Sequence, residues 1–120
     1  MTTYIKNILA YFFGDYSTAK VLPASTETVS AAIDFQHVMP GRSTITLVIT
    51  GSTGGDIEIS TSTDGVSGWA VSHTESYTAA GTVSIFGITA LNGSALFARV
   101  SVTDTSGIAG TITGSMTGQS

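Results

Sequence analysis

A chain of 120 residues, 42% of them hydrophobic, holds enough material for one domain around a single core. Its net charge of −4, with only Lys6, Lys20, Arg42 and Arg99 basic, speaks against a nucleic-acid binder, which needs clustered Lys and Arg on the phosphate backbone. Without cysteine the chain has no disulfide, no thiolate metal ligand and no cysteine nucleophile.

Only 10% of the residues are charged, against roughly 25% in ordinary globular domains, and Ser, Thr and Gly take their place. Such a surface stays soluble through hydroxyls or is covered in an assembly. The hydrophobic fraction is too large and too regularly spaced for a disordered chain.

Residues 4–16, Tyr4 to Tyr16, hold half of the aromatic residues and form an N-terminal arm. Ile5, Ile8, Leu9, Phe12 and Tyr16 fall at helical spacing, so a short helix is the reading the spacing favours. Tyr11, Phe12 and Phe13 also suit an extended strand. The run is shorter than the roughly 20 apolar residues a membrane span needs, and Lys6 interrupts any signal-like apolar run. Burying its large side chains about balances the entropy of ordering the segment. The arm must therefore pack on its own domain, on sister subunits or on a partner.

The arm and the linker Lys20-Val-Leu-Pro23 make up residues 1–23, and a β domain follows over 24–120. Glu27–Gln36 alternates, with Val29, Ala31, Ile33 and Phe35 on one face. Pro40-Gly41 marks a turn, and Ser43–Thr50 alternates through Ile45, Leu47 and Ile49. After the small-residue loop Gly51–Gly55, Asp56–Thr61 carries Ile57 and Ile59, and Asp64-Gly65 signals a tight hairpin.

Trp69–His73 and Thr82–Thr89 read as further strands, with Asn92-Gly93 as another turn. Ala95–Thr103 places Leu96, Ala98, Val100 and Val102 on one face and Phe97 and Arg99 on the other. In the last segment Ile108, Ile112 and Met116 are in phase with Gly110 and Gly114. Seven or eight short strands with turns at close intervals predict an all-β, antiparallel β-sandwich, either jelly-roll or immunoglobulin-like.

Little in this pattern offers catalytic chemistry. Two histidines, His37 and His73, are too few for a histidine metal site, and no Gly-x-Ser-x-Gly elbow positions a nucleophile. His73 is in phase with Trp69 and Val71, as a satisfied sheet or core histidine would be. Asp56 and Glu58 share one strand face, most simply a solvated one opposite Ile57 and Ile59. The turns Ser62–Gly65 and Thr103–Gly107 supply one carboxylate each, too few for calcium, so Asp64 and Asp104 serve local backbone hydrogen bonds. Gly51–Gly55 lacks the lysine of a phosphate loop, and Asn92-Gly93-Ser94 is a hairpin turn before it is a glycosylation acceptor. Trp69, Tyr77 and Phe86 suit a sugar-stacking platform, although a lone tryptophan in a small β domain more often belongs to the core. Neither an enzyme nor a cofactor is expected.

The run Ser60–Trp69, the Gly81–Phe86 segment and Ala95–Val102 together resemble the small β-sandwich modules of tailed-phage virions. In those, a Ser-x-Asp-Gly turn leads into a tryptophan strand, a later strand carries Tyr/Phe-x-Arg-Val, and a Gly/Thr-rich strand closes the sheet. Arg99 and the strand Thr111–Thr117 take the last two places, and the resemblance spans residues 43–117. It implies a structural protein of the virion, of the capsid cement or decoration type, located on the capsid surface. By that analogy the arm (Tyr4, Ile5, Ile8, Leu9, Phe12 and Phe13) binds the major capsid protein or another virion protein. The chain would then form a homo-oligomer, a trimer being favoured, with no nucleic-acid or membrane partner. The alternative is a carbohydrate-binding or adhesion module of a tail fibre or secreted protein.

Overall fold

The computed structural model describes residues 7–15, 17–34, 43–86 and 97–119, and these form ten strands and no helix. In chain order the strands are β1 (Asn7–Phe13), β2 (Lys20–Leu22), β3 (Glu27–Val29), β4 (Ile33–Asp34), β5 (Ser43–Thr50), β6 (Gly55–Ser62), β7 (Ala70–Tyr77), β8 (Gly81–Phe86), β9 (Phe97–Asp104) and β10 (Gly110–Gln119). They build two antiparallel sheets. Sheet A runs β1-β10-β5-β8, with β2 also on β10, and sheet B runs β3-β9-β6-β7, with β4 also on β9.

Strands β1 and β2 share one edge of β10, and β3 and β4 share one edge of β9, so each sheet is four strands wide. From β2 onward the chain crosses repeatedly between the sheets, and β9 and β10 insert between early and middle strands. This interleaving is that of a jelly roll, which decides between the two sandwich types.

Alternation sets the faces. Ile45, Leu47 and Ile49 of β5 pack inward against Ile57 and Ile59 of β6, Val100 and Val102 of β9, and Ile112 and Met116 of β10. Along β6 the order buried–exposed–buried follows Gly55-Asp-Ile-Glu-Ile59, which is what a strand with one solvated face requires.

Three local expectations are corrected. The segment expected as a helix is the strand β1, which pairs antiparallel with β10 from Asn7↔Gln119 to Phe13↔Gly114. A bulge between Tyr11 and Phe13 explains the choice. The extra residue turns Phe12 partly onto the core beside the fully buried Phe13, while Tyr11 stays on the outer face. A helix would have left β10 without its backbone partner.

The predicted strand Glu27–Gln36 is broken between β3 and β4, with Thr28 rather than Val29 buried. Ser30 causes the break. Its Oγ accepts the Val100 N–H at 2.9 Å, taking the place of a regular ladder bond. The expected two-residue turn at Asp64-Gly65 is instead part of a loop over 63–69, in which Asp64 Oδ1 accepts the N–H groups of Val66 (2.8 Å) and Ser67 (2.9 Å). Those bonds hold the Asp64 carboxyl down to about 2.

The predictions made at Tyr4, Ile5, Tyr16, Phe35, His37, Pro40-Gly41, Asn92-Gly93 and Leu96, and at the side chains of Ile8 and Phe86, lie outside the described residues.

Candidate functional site

Charge is divided between the two sheets. On the outer face of sheet A, cross-strand register aligns Leu9, Thr117 and Thr44 in one row and Tyr11, Ser115, Thr46 and Ser84 in the next. A third row holds Thr113, Val48 and Thr82, and a fourth Val21, Thr111 and Thr50. None of these residues is charged. Adjacent strands stand about 4.8 Å apart, so the hydroxyls form a close lattice interrupted by methyl and ring surface. Thr50 and Thr111 hydrogen-bond through their hydroxyls across β5 and β10. Leu9 (60% exposed), Tyr11 (40%), Val21 (64%) and Val48 (42%) supply the apolar part.

The outer face of sheet B is acidic. Glu27, Asp56 and Glu58 point outward between Ser and Thr neighbours, as expected for carboxylates opposite Ile57 and Ile59. An open hollow of about 410 Å³ lies over β6 and β7, lined by Asp56, Glu58, Thr74, Glu75 and Ser76. Ser76 Oγ donates to Asp56 Oδ1 at 2.9 Å. Toward the other end of β6, where Ser60 pairs with Arg99, the Arg99 guanidinium carbon sits 4.6 Å from the centre of the Trp69 ring, a cation–π pair. Trp69 is half-buried and stands apart from the core cluster, so the core reading of this residue is corrected. It is not a free platform either, because Arg99 covers one of its ring faces.

The third cluster closes one end of the sandwich. Asp104, at the end of β9, is buried and collects donors from three parts of the chain. Its Oδ1 accepts Ser52 Oγ (2.5 Å), Ser106 Oγ (2.6 Å) and Ser106 N (3.2 Å), and its Oδ2 accepts Ser25 N (2.8 Å) and Gly107 N (3.0 Å). The Ser106 hydroxyl, the Ser25 amide and the Ser52 hydroxyl hold this carboxyl far below the usual range. The Tyr77 and Ser52 hydroxyls are 2.7 Å apart, and burial pushes the Tyr77 hydroxyl up.

Ser25 accepts a left-handed φ of 52° to deliver its N–H to Asp104. The arrangement is a latch on the loops. Its carboxylate is saturated with donors, and Ser52 is fully buried, so no substrate reaches either group. The local half of this cluster is what the Thr103–Gly107 turn signalled; its reach to Ser25, Ser52 and Tyr77 carried no sequence signal.

The residues singled out in the arm separate. Phe13 lies in the core, Phe12 packs partly against it, and Leu9 is exposed on the outer face of sheet A; Ile8 pairs with Gly118. Tyr11, absent from that set, is exposed beside Leu9. His73 lies on β7 opposite Ile59, a sheet position, and its buried Nε2 has no hydrogen-bond partner among the described residues. Among the described residues no group of three or more His, Asp or Glu is placed to hold a metal ion.

No protein-family model and no curated protein matches the chain. Solved structures do share its fold. The PBSX exported protein XepA superposes with a TM-score of 0.62 at 10% identity, covering 92% of this chain and 36% of XepA. The chain thus spans about a third of the length of XepA. The SPBc2 prophage-derived protein YomS gives 0.58 at 13% identity, covering 100% of this chain and 98% of YomS. Chitosan-binding module 1 of a chitosanase/glucanase from Paenibacillus sp. IK-5 gives 0.53 at 11% identity, covering 92% of each chain. At these identities the likeness is one of fold, shared by phage-derived proteins and carbohydrate-binding modules.

Proposed function

We propose that the chain is a non-catalytic structural module of a phage virion, a capsid decoration protein that docks on the major capsid protein or another shell protein. The observation that carries this reading is the uncharged outer face of sheet A. Four rows of Thr, Ser, Val, Leu and Tyr side chains offer hydrogen bonds and apolar contact with no charge to desolvate. The docking surface is thereby moved from the arm as a whole to Leu9, Tyr11 and the hydroxyl rows beside them. The fold shared with XepA and YomS supports a phage setting.

Placing two carboxylates in the middle of that face, Val48→Glu with Thr113→Glu, tests it. Both side chains lie on the outer face, so the thermal midpoint should stay within a few degrees of wild type. In particles of the phage that encodes the chain, the wild-type protein should cosediment with the shells and the double variant should remain in the supernatant. Equal cosedimentation of the two would remove this face from the mechanism.

A second reading, carbohydrate binding, is favoured by the half-buried Trp69 outside the core and by the fold shared with the chitosan-binding module. The ring face covered by Arg99 counts against it, since a sugar stacks on a free face. Titration with chitosan oligosaccharides separates the two readings: binding that disappears in Trp69→Ala would replace the first by the second.

A further inference from the structure

We propose that β1 pairs antiparallel with β1 of a second copy about a two-fold axis, joining two copies of sheet A into one continuous sheet. The proposal is independent of what the outer face docks onto. It starts from the four sheet edges. In sheet B, β3 and β4 are only three and two residues long, and β7 carries Glu75 and faces a bulge in its pairing with β6. In sheet A, β8 is uncharged, but Gly81, Thr82 and Ser84 are its exposed positions and bury little.

β1 differs from all of these. It runs for seven residues, Asn-Ile-Leu-Ala-Tyr-Phe-Phe, without charge or proline, and its far side has no strand partner among the described residues. Natural sheets blunt such edges with charge, proline or brevity because an open, apolar edge recruits another strand. Here the only blunting device is the bulge beside Phe12, which leaves Asn7–Tyr11 in regular register.

Charge selects a second copy and the antiparallel direction. The sequence sets Lys6 directly before β1 and Asp15 shortly after it, so antiparallel pairing turns the basic end of each strand toward the acidic end of the other, whereas in-register parallel pairing would set like signs side by side. The other acidic residues stand on sheet B, in its loops or in the buried latch. A register centred on Leu9 sets Leu9 against its own copy and Asn7 against Tyr11, and the two uncharged outer faces become one. An isologous contact of this kind closes as a dimer and not as the trimer that the phage resemblance implies. A single strand pair is a small interface, so the dimer should dissociate on dilution in the micromolar range, about 10 μM.

Light scattering and sedimentation equilibrium on the full chain, from about 1 μM to about 500 μM, give the test. The wild type should pass from monomer to dimer. Leu9→Lys and Leu9→Glu should each weaken association by at least about tenfold, because like charges then meet on the axis. An equimolar mixture of the two should recover the dimer. Tyr11→Lys serves as the second edge variant if either Leu9 variant loses its folded circular-dichroism spectrum. A wild type that stays monomeric throughout, a trimer, or a Leu9→Lys dimer as tight as wild type would overturn the proposal.

Discussion

Replacing Gly110 by alanine should cost the fold at least about 3 kcal/mol, the upper end of what overpacking exacts and a large share of the 5–15 kcal/mol that holds a domain of this size. Gly110 opens β10 and pairs with Leu22 of β2 on one side, while the end of β5 presses on it from the other. A Cβ there would overlap the Thr50 carbonyl oxygen and stand 2.7 Å from Ser52 N and 2.9 Å from Thr50 C. All three atoms are backbone, so no rotamer relieves the collision. Any shift of Ser52 also pulls on the hydroxyl it gives to Asp104. Urea unfolding followed by circular dichroism should show the midpoint of Gly110→Ala well below wild type. Gly54→Ala is the matched control. Its nearest atoms would be 3.7 Å away, so its midpoint should move little. Coincident midpoints for the two variants would mean that β5 and β10 yield at this junction.

The second large effect belongs to Asp104. Asp104→Asn keeps the shape but turns an NH₂ toward donors from Ser52, Ser106, Ser25 or Gly107, whichever way the amide is set. Near pH 7 the thermal midpoint should fall by roughly 10 °C. The sign of the pH dependence follows from the depressed carboxyl. The folded state holds its proton more weakly than the unfolded chain does, so the stabilisation is complete above the ordinary carboxylate value of about 3.9. It is lost as the pH falls through that value toward the folded one. Asp64, at about 2, and Asp15, lowered by the amide and hydroxyl of Ser17, act in the same direction. Melting curves of wild type and Asp104→Asn should therefore lie far apart at pH 7 and draw together below pH ~4. A gap that stays constant down to pH ~2 would show that the charge of Asp104 contributes nothing.

Much of the sandwich is legible in the sequence wherever a strand has one wet and one dry face. Ile45, Leu47 and Ile49, or Ala98, Val100 and Val102, announce their strands because strict alternation fits nothing else. β1 was not legible, because Ile8, Leu9 and Phe12 satisfy a helical stripe as well as a strand. What decides is β10, roughly a hundred residues away, whose Gly114 leaves room for the Phe12 and Phe13 rings. Ser30 hid in the same way, since its bond to Val100 is set by the approach of β9 and not by its neighbours in sequence.

The surface is less legible still. Thr44, Thr46, Thr111 and Thr113 read as ordinary outward strand positions, and only the β5–β10 register assembles them into a face without charge. Trp69 carried an aromatic signal, but its relation to Arg99 depends on the loop that returns it over β9.

The place of β10 also constrains the order in which the molecule can be made. It is the inner strand that β1, β2 and β5 all need, and it leaves the ribosome after every one of them. The five strands of sheet B are complete once residue 104 has emerged, whereas β1 and β5 have no common partner until residues 110–119 follow. During that interval Phe13, Leu22, Ile45 and Leu47, all buried in the finished protein, belong to strands that still lack β10. A chain that ends after residue 109 should therefore be protease-sensitive and a good client for chaperones that recognise apolar segments.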